Sequence, residues 1–459
     1  MGKIASIAEF FSKNKQYLGF VNLPQSLFMT VKEVFDNALD VLEETEIENP
    51  EVQLKVREIK KNVWEVICLD NGYGIPENKI PLVFCKFLYS SKFSSKKMTR
   101  GELGVGLTGA VLYSQQSTGN PVVVISKTKN TDPVLYKLMI DVKKNEPVIV
   151  EKKKVEWNIE HGTCVRLVVK GSWNSRIDEY VKRSAKVNPH VKIVYNGYVY
   201  NPKPDLSKKP KVHEIPKCPT DYDYLEFKEF LLNSKNTLAV TLYRHFKGLG
   251  WVRAKDIERK IGKKYVEDLT EDDIKSIYAM LQEFKLRLRK EEIHNSVCGF
   301  GKEIIEEYLK EYNPEKIFIS VSEPELWKSD VYMVEVGLAY GAKIDSDIEV
   351  HRFANRVPLL YAQGECVMYK SVNEVNWKYY KAKEKMLFLV HVVSTHVPYC
   401  ETSKHAVAEV PIIKEKIMKC LRSIGREIKI WEGYKAKEKY LKKLKEDYEK
   451  LGELLQEIE

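Results

Sequence analysis

Leu27, Val31, Val34, Ala38 and Leu42 recur at three- and four-residue spacing and predict an amphipathic helix around which the chain is organised. Thr30, Glu33, Asn37 and Asp40 repeat that spacing along a second edge, so their side chains stack. Lys32, Asp36 and Glu43 fall on a third side, expected to face solvent. Asn22 and Pro24 suit the helix start, because proline is accommodated in a first turn. Ahead of it, residues 1–20 carry Ile4, Ile7, Phe10, Phe11 and Leu18, a short amphipathic arm that docks on its own body or on a partner. After the helix the period shortens to two. Val52, Leu54 and Val56 alternate as a half-buried strand, and residues 63–70 (VWEVICLD) are apolar enough for a central one. Residues 121–128, 134–142 and 162–171 complete an antiparallel run.

Proline and lysine then interrupt the pattern at 201–219, which reads as an extended linker. Residues 223–312 turn helical, with Thr270 and Asp273 spaced as a capping box. Strands return from 316, mixed with helical stretches, which predicts an α+β unit. The chain closes on a long helix in which Tyr434, Leu441, Leu444, Tyr448, Leu451, Leu455 and Ile458 alternate by three and four, broken at Lys437. That apolar edge is too sparse to stand alone, which favours a partner. The expected division is 1–20, 21–222, 223–312, 313–425 and 426–459.

Composition narrows the class. At 459 residues, several domains are expected, and 44% hydrophobic with 31% charged residues describes a folded chain. No apolar run approaches eighteen residues and no signal-peptide core opens the chain, so a cytoplasmic protein without a membrane anchor is expected. The eight cysteines include no CxxC pair, which argues against a zinc site or a disulfide framework. A net charge of +10 suits a polyanionic partner but is common.

Three stretches carry candidate chemistry. On the first helix, Glu33 is placed to orient and deprotonate a water, and the Asn37 carboxamide oxygen is a hard ligand for Mg²⁺. The strand 63–70 runs into Asp70-Asn71-Gly72-Tyr73-Gly74-Ile75-Pro76, a DNG that could be a hairpin turn except that no short partner strand follows. A serine- and lysine-rich loop (FCKFLYSSKFSSKKMTR) then leads to Gly101-Glu102-Leu103-Gly104-Val105-Gly106 and a helix beginning near Leu107. Glycines that open a helix offer backbone N–H groups to phosphate. No strand directly precedes them, so this is not a Rossmann unit.

Together the ExxxNxxD set (Glu33, Asn37, Asp40), DNGxG (Asp70, Gly72, Gly74), GxxGxG (Gly101, Gly104, Gly106) and the late Gly162-Thr163 resemble the GHKL ATPases in order and spacing. FLYSSKF, the TRGxxGxG run and AVLYSQ are similar to the topoisomerase VI B-subunit family of type IIB DNA topoisomerases, and the likeness runs along nearly the whole chain. VEDLTEDDI resembles a helix–two-turns–helix signature, and Arg352, Asn355, Arg356 and Pro358 resemble the RxxNRxP run of GHKL transducer domains.

The resemblance implies an α+β Bergerat ATPase sandwich, a helix–two-turns–helix insert, an α+β transducer and a C-terminal stalk helix, preceded by an N-terminal strap. It implies ATP and Mg²⁺, with Glu33 as general base, Asn37 as metal ligand and Asp70 accepting from the adenine amino group. Thr163 would support the adenine end, and Gly72 and Gly74 would also bind the nucleotide. Gly101, Glu102, Leu103, Gly104, Val105 and Gly106 would form the lid, Ser90, Ser91, Lys92 and Leu107 would also bind the nucleotide, and Lys404 would contact the γ-phosphate. Implied partners are a second copy on ATP binding, with the arm crossing between copies, double-stranded DNA, and a DNA-cutting A subunit in an A₂B₂ assembly. In the insert, Arg244, Lys247, Arg253, Lys255, Lys263 and Lys264 suit phosphate contacts. Thr108 stands where relatives carry a lysine, with Lys92, Lys96 or Lys97 as substitutes, and Ser403 replaces a glycine beside Lys404. Relatives continue beyond the stalk, so a reduced version is expected. The alternative is a GHKL clamp of repair or chaperone type; a histidine kinase fits less well, with no phospho-acceptor helix ahead of the site.

Overall fold

The computed structural model describes residues 5–456 apart from 91, 93, 94, 102, 247 and 284–287, with the backbone alone at 452 and 454–456. Among these residues the α+β expectation is met by two mixed sheets with helices packed on them. The arm forms α1 (Ile7–Lys13), started by the Ser6 hydroxyl, which accepts from the Glu9 amide. It lies on its own chain, with Phe11 stacked on Phe87 at 5.2 Å. The organising helix is α2 (Leu23–Glu44). Asn22 caps it by accepting from the Gln25 amide at 2.9 Å, and Pro24 occupies the first turn.

The first sheet comprises β1 (Glu51–Lys60), β2 (Val63–Asp70), β3 (Val122–Lys127), β4 (Val134–Asp141), β5 (Glu146–Lys154), β6 (Gly162–Lys170), β7 (Lys192–Tyr195) and β8 (Tyr198–Tyr200). Their order is 5-4-3-6-2-1-7-8, antiparallel except where β1 meets β7. With α2, the helices α3 (Ile80–Cys85), α4 (Gly106–Thr118) and α5 (Arg176–Val187) bury one apolar core against it. The solvent face expected of α2 is absent. Lys32 is 2% exposed and Asp36 7%, because Tyr180 of α5 and the chain around Lys404 cover that side. Glu43 is likewise taken up, by Arg100.

The stretch 201–219 holds a short helical turn, Leu206–Lys208, and is not free. The Ile215 amide donates to Lys96 O at 2.9 Å, the His213 amide donates to Asn295 O at 2.7 Å, and Ile215 is buried. The helical insert, α6 (Tyr224–Leu232), α7 (Leu238–His245), α8 (Trp251–Ile261) and α9 (Glu271–Gln282), has a core of its own that includes Phe227, Leu242, Phe246 and Ile277. The Thr270–Asp273 capping box is present. After α10 (Lys290–Asn295), α11 (Gly301–Lys310) leaves the insert to which its periodicity assigned it. Its Ile304, Ile305, Tyr308 and Leu309 pack with Ala339, Phe353 and Leu389 of the second sheet.

That sheet comprises β9 (Lys316–Val321), β10 (Glu325–Trp327), β11 (Asp330–Tyr340), β12 (Ile348–Ala354), β13 (Val357–Leu359) and β14 (Met386–Ser394). The order is 10-11-14-12-13, with β9 also on β11. After α12 (Val367–Glu374), the last helix, α13 (Pro411–Gln456), begins fifteen residues before the expected 426. Its first half is core, burying Ile413, Ile417, Leu421, Ile424 and Ile428. Its second half leaves Tyr434, Leu441, Leu444, Tyr448 and Leu451 exposed. The Leu455 side chain and Ile458 lie outside the described residues. Among the described residues no helix is long and apolar enough to cross a membrane.

Candidate nucleotide-binding site

A cavity of about 370 Å³ opens beside α2 and gathers Glu33, Asn37 and Asp40, the edge read from their spacing. Its opposite wall is the glycine loop: Gly101, Leu103, Gly104, Val105, Gly106, Leu107 and Thr108 line it, with Ser90 and Lys92. Ser91 and Glu102 lie outside the described residues. The loop passes so close to α2 that a Cβ on Gly106 would stand 1.9 Å from Glu33 Oε2, so only glycine fits. α4 begins at that residue, and its uncapped N-terminus faces the cavity beside Glu33. Asn37 donates its amide N–H to Glu33 O at 2.6 Å, which leaves the carboxamide oxygen for another partner. That oxygen fits Mg²⁺, a hard cation bound through oxygen. Lys92 pairs with Asp40 at 2.8 Å and Glu44 at 3.5 Å. Burial works against its charge, but these carboxylates outweigh burial and hold it above its ordinary value.

Asp70, Gly72, Gly74 and Thr163 do not line that cavity. They form a second cluster where β2 ends and β6 begins, with Asp70 paired to Thr163 in register. Val41, one turn beyond Asn37, touches Gly72, where a Cβ would meet Val41 Cγ1 at 2.3 Å. The distance along α2 from Glu33 to Val41 is therefore eight residues, or ~12 Å at about 1.5 Å each. Gly74, at φ +73°, lets the turn pass under Lys127 O. Burial pushes the Asp70 carboxyl up to about 7, against the Gly72 and Thr163 amides that stabilise its charge. His161 Nδ1 meets Gly72 O at 2.8 Å, and the Ile75 amide donates to Ser126 Oγ at 2.7 Å, so the turn is fixed from both sides.

Lys404 arrives from the loop after β14, some 300 residues beyond the glycines. Its ammonium donates to Arg100 O at 2.7 Å and lines the cavity. Its backbone is in the left-handed region, φ +55°, which costs a lysine and persists because the loop is tied down around it. Burial and then the neighbouring Lys32 ammonium push Lys404 below its ordinary range. The side chain of Arg100 binds Glu43 and donates to Asn188 Oδ1 at 2.7 Å. Arg356, from the two-residue turn between β12 and β13, donates to the same Asn188 oxygen at 3.1 Å and to Gly299 O at 3.1 Å. Asn355 of that turn donates to Thr99 O at 2.9 Å. The two sheets are thus joined at the base of the glycine loop.

Residues 22–170 match the family model described as histidine kinase-, DNA gyrase B- and HSP90-like ATPase, and residues 294–444 match the topoisomerase VI B-subunit transducer. The B subunit of type 2 DNA topoisomerase 6 from Methanosarcina barkeri is 35% identical, covering 97% of this chain and 74% of that protein. The Saccharolobus solfataricus protein of that name is 32% identical, covering 96% and 87%. The chain belongs to the topoisomerase VI B-subunit family. The ATPase region of Saccharomyces cerevisiae topoisomerase II aligns over 95% of this chain and 98% of its own, at 15% identity and a TM-score of 0.45.

Two of the three lysines expected to stand in at Thr108 point elsewhere. Lys96 is held by Asp221 at 2.5 Å and Lys97 by Glu44 at 3.4 Å, and neither lines the cavity. Lys79, overlooked in the sequence, does line it, from the short turn after the DNGxG segment, as do Val83, Tyr89 and Thr402. Position after a glycine turn was the available signal for Lys79. Ser126 and His161 carried none, since their role depends on strand register. In the insert, Lys255 pairs with Glu258 at 2.7 Å, and Lys247 lies outside the described residues.

Proposed function

We propose that the chain is the ATP-hydrolysing B subunit of a type IIB DNA topoisomerase. The observation that carries this reading is the meeting of Lys404 with Glu33, Asn37 and the glycine loop in one cavity, because it joins the two family segments at a single site. The base of ATP would lie at Asp70, with its carboxylate accepting from the adenine amino group, supported by Gly72, Gly74 and Thr163. The triphosphate would run along α2, over ~12 Å, to the glycine loop, whose N–H groups and α4 N-terminus suit its charge. Asn37 would hold Mg²⁺, which supplies charge neutralisation to the phosphates when bound. Glu33, turned toward the N-terminus of α4, would orient the attacking water and take its proton. Ser90, Lys92, Lys79 and Lys404 surround the phosphate end, and Lys404 reports the γ-phosphate.

The division of labour follows the packing. Residues 1–20 form a strap, 21–222 the ATPase unit with its linker, 223 to about 283 the helix–two-turns–helix insert, about 290–425 the transducer, and 426–459 the stalk. ATP binding pairs two copies, closing them around a DNA duplex, while the strands are cut by a separate A subunit in an A₂B₂ assembly in the cytoplasm. The exposed apolar edge of the stalk suits that cutting partner. The test uses Glu33→Gln. It should bind ATP and dimerise as the parent does while hydrolysis falls about a hundredfold, as loss of a general base implies. Parent protein mixed with its A subunit should relax supercoiled DNA with ATP. Hydrolysis without relaxation would turn the reading to a repair or chaperone clamp.

A further inference from the structure

Lys32 has no part in the site so far, and it lies where a surface lysine has no reason to be. It is 2% exposed on the covered side of α2. Its ammonium stands 3.2 Å from Glu33 Oε1 and 3.0 Å from Asp36 Oδ2. Asp36 is anchored from behind, its Oδ1 accepting from the Tyr180 hydroxyl at 2.5 Å. Tyr180 is itself fixed, packed edge-on to Phe28 at 5.3 Å and Phe35 at 6.4 Å. The other charges felt at this corner are Lys404, Asp40 and Arg100.

Burying an ammonium is costly unless its charge is met, and a leucine or methionine would fill the same volume without the cost. Asp36 alone would satisfy the charge. The second carboxylate on Lys32 therefore calls for a reason of its own. Glu33 Oε1 is taken by Lys32, and Oε2 is the oxygen turned to Gly106 at the mouth of α4. A carboxylate on a flexible stem has many rotamers, and this ion pair selects the one that faces the cavity.

We propose that Lys32 is a positioning residue for ATP hydrolysis, holding one oxygen of Glu33 so that the other faces the attacking water. The chain Tyr180–Asp36–Lys32–Glu33 ties the base to α5, outside the nucleotide cavity. The benefit is one of orientation, where a misplacement of about 1 Å can cost a hundredfold. This inference rests on Glu33 being the general base.

The test is a double-mutant cycle on the full chain, reading kcat, KM for ATP and the Kd of a non-hydrolysable ATP analogue. Lys32→Met should lower kcat by roughly ten- to a hundredfold with the analogue's Kd within about twofold, and Lys32→Arg should recover most of the loss. In a Glu33→Gln background, Lys32→Met should change the residual rate by less than about twofold, since the group it acts through is gone. An equal loss in both backgrounds overturns the proposal and makes Lys32 a packing residue. Near-normal hydrolysis by Glu33→Gln alone overturns the base assignment, and the proposal with it. If Lys32→Met does not fold, Lys32→Met with Asp36→Asn removes the stranded carboxylate, keeps an acceptor for Tyr180, and carries the same comparison.

Discussion

Lys404→Ala separates sensing of the terminal phosphate from nucleotide binding in general. Its ammonium rests on Arg100 O at 2.7 Å, inside the cavity that holds Glu33 and the glycine loop. A charge-assisted contact to phosphate contributes about 1.5–3 kcal/mol. At about 1.4 kcal/mol per factor of ten, its loss weakens ATP by roughly 10- to 150-fold. ADP offers no γ-phosphate, so its affinity should change little. In the parent, drawing Lys404 off Arg100 O offsets part of the phosphate contact, so the measured factor should fall toward the lower end of this range. Calorimetric titration in the Glu33→Gln background allows ATP itself to be used beside ADP. The parent's preference for ATP should shrink by the stated factor in the variant. Raising the pH should shrink it too, because Lys404 loses its proton below the ordinary lysine range. Equal weakening of ATP and ADP, or no weakening, would refute the assignment and leave Lys79 and Lys92 as the sensing candidates.

Asp70→Asn replaces an acceptor with a group able to turn a donor to the adenine amino group, so ATP affinity should fall at least tenfold. In the parent, ATP affinity should drop as pH falls below about 7, up to tenfold per unit, and titrations of Asp70→Asn should lack that slope. The folded carboxyl holds its proton up to about 7, so this group's contribution to stability declines as pH rises from the ordinary carboxyl range to 7 and is flat above, readable by denaturation without nucleotide. Glu43→Ala removes the carboxylate that the buried Arg100 and Arg356 guanidiniums share, leaving Asp40 at 3.6 Å from Arg100, and should cost about 3 kcal/mol, seen as a lower denaturation midpoint; an unchanged midpoint would deny the carboxylate its role. Replacing residues 224–283 with a short linker should spare ATP binding but weaken salt-sensitive DNA binding, and equal DNA affinity across a salt titration would make the insert structural only.

The elements around the candidate site were legible because each is written in a local period. Residues 63–70 came out with the bounds of β2, and α2 declared both its apolar stripe and the Glu33–Asn37–Asp40 edge. What failed were inferences about distant cover. Nothing near Lys32 and Asp36 announces Tyr180, 144 positions after Asp36. The periodicity of 301–310 predicts a helix correctly but does not say which sheet receives it. β5 escaped because an edge strand with Val148, Ile149 and Val150 all exposed shows no alternation. The early start of α13 is a third case: the stripe from Ile412 to Ile428 buries it on the second sheet, and only its outer half reads as a stalk.

Arg100 belongs to both halves of the problem. Its carbonyl receives Lys404, and its guanidinium shares Glu43 and Asn188 with Arg356 of the transducer turn. Arg356 holds a left-handed backbone at φ +67°, a conformation that costs a non-glycine residue and is kept where the surroundings enforce it. Its amide donates to His391 Nε2 at 3.1 Å, so His391 Nδ1 carries the proton given to Glu335 at 2.8 Å. Glu335 in turn accepts from the Phe300 and Gly301 amides at the start of α11. A phosphate that drew Lys404 off Arg100 O would thus disturb a residue whose side chain fixes the transducer to the base of the glycine loop. A ligand biases two arrangements only by contacts that differ between them. The Lys404–Arg100 bond would be such a contact, at a residue where glycine loop, α2 and transducer meet.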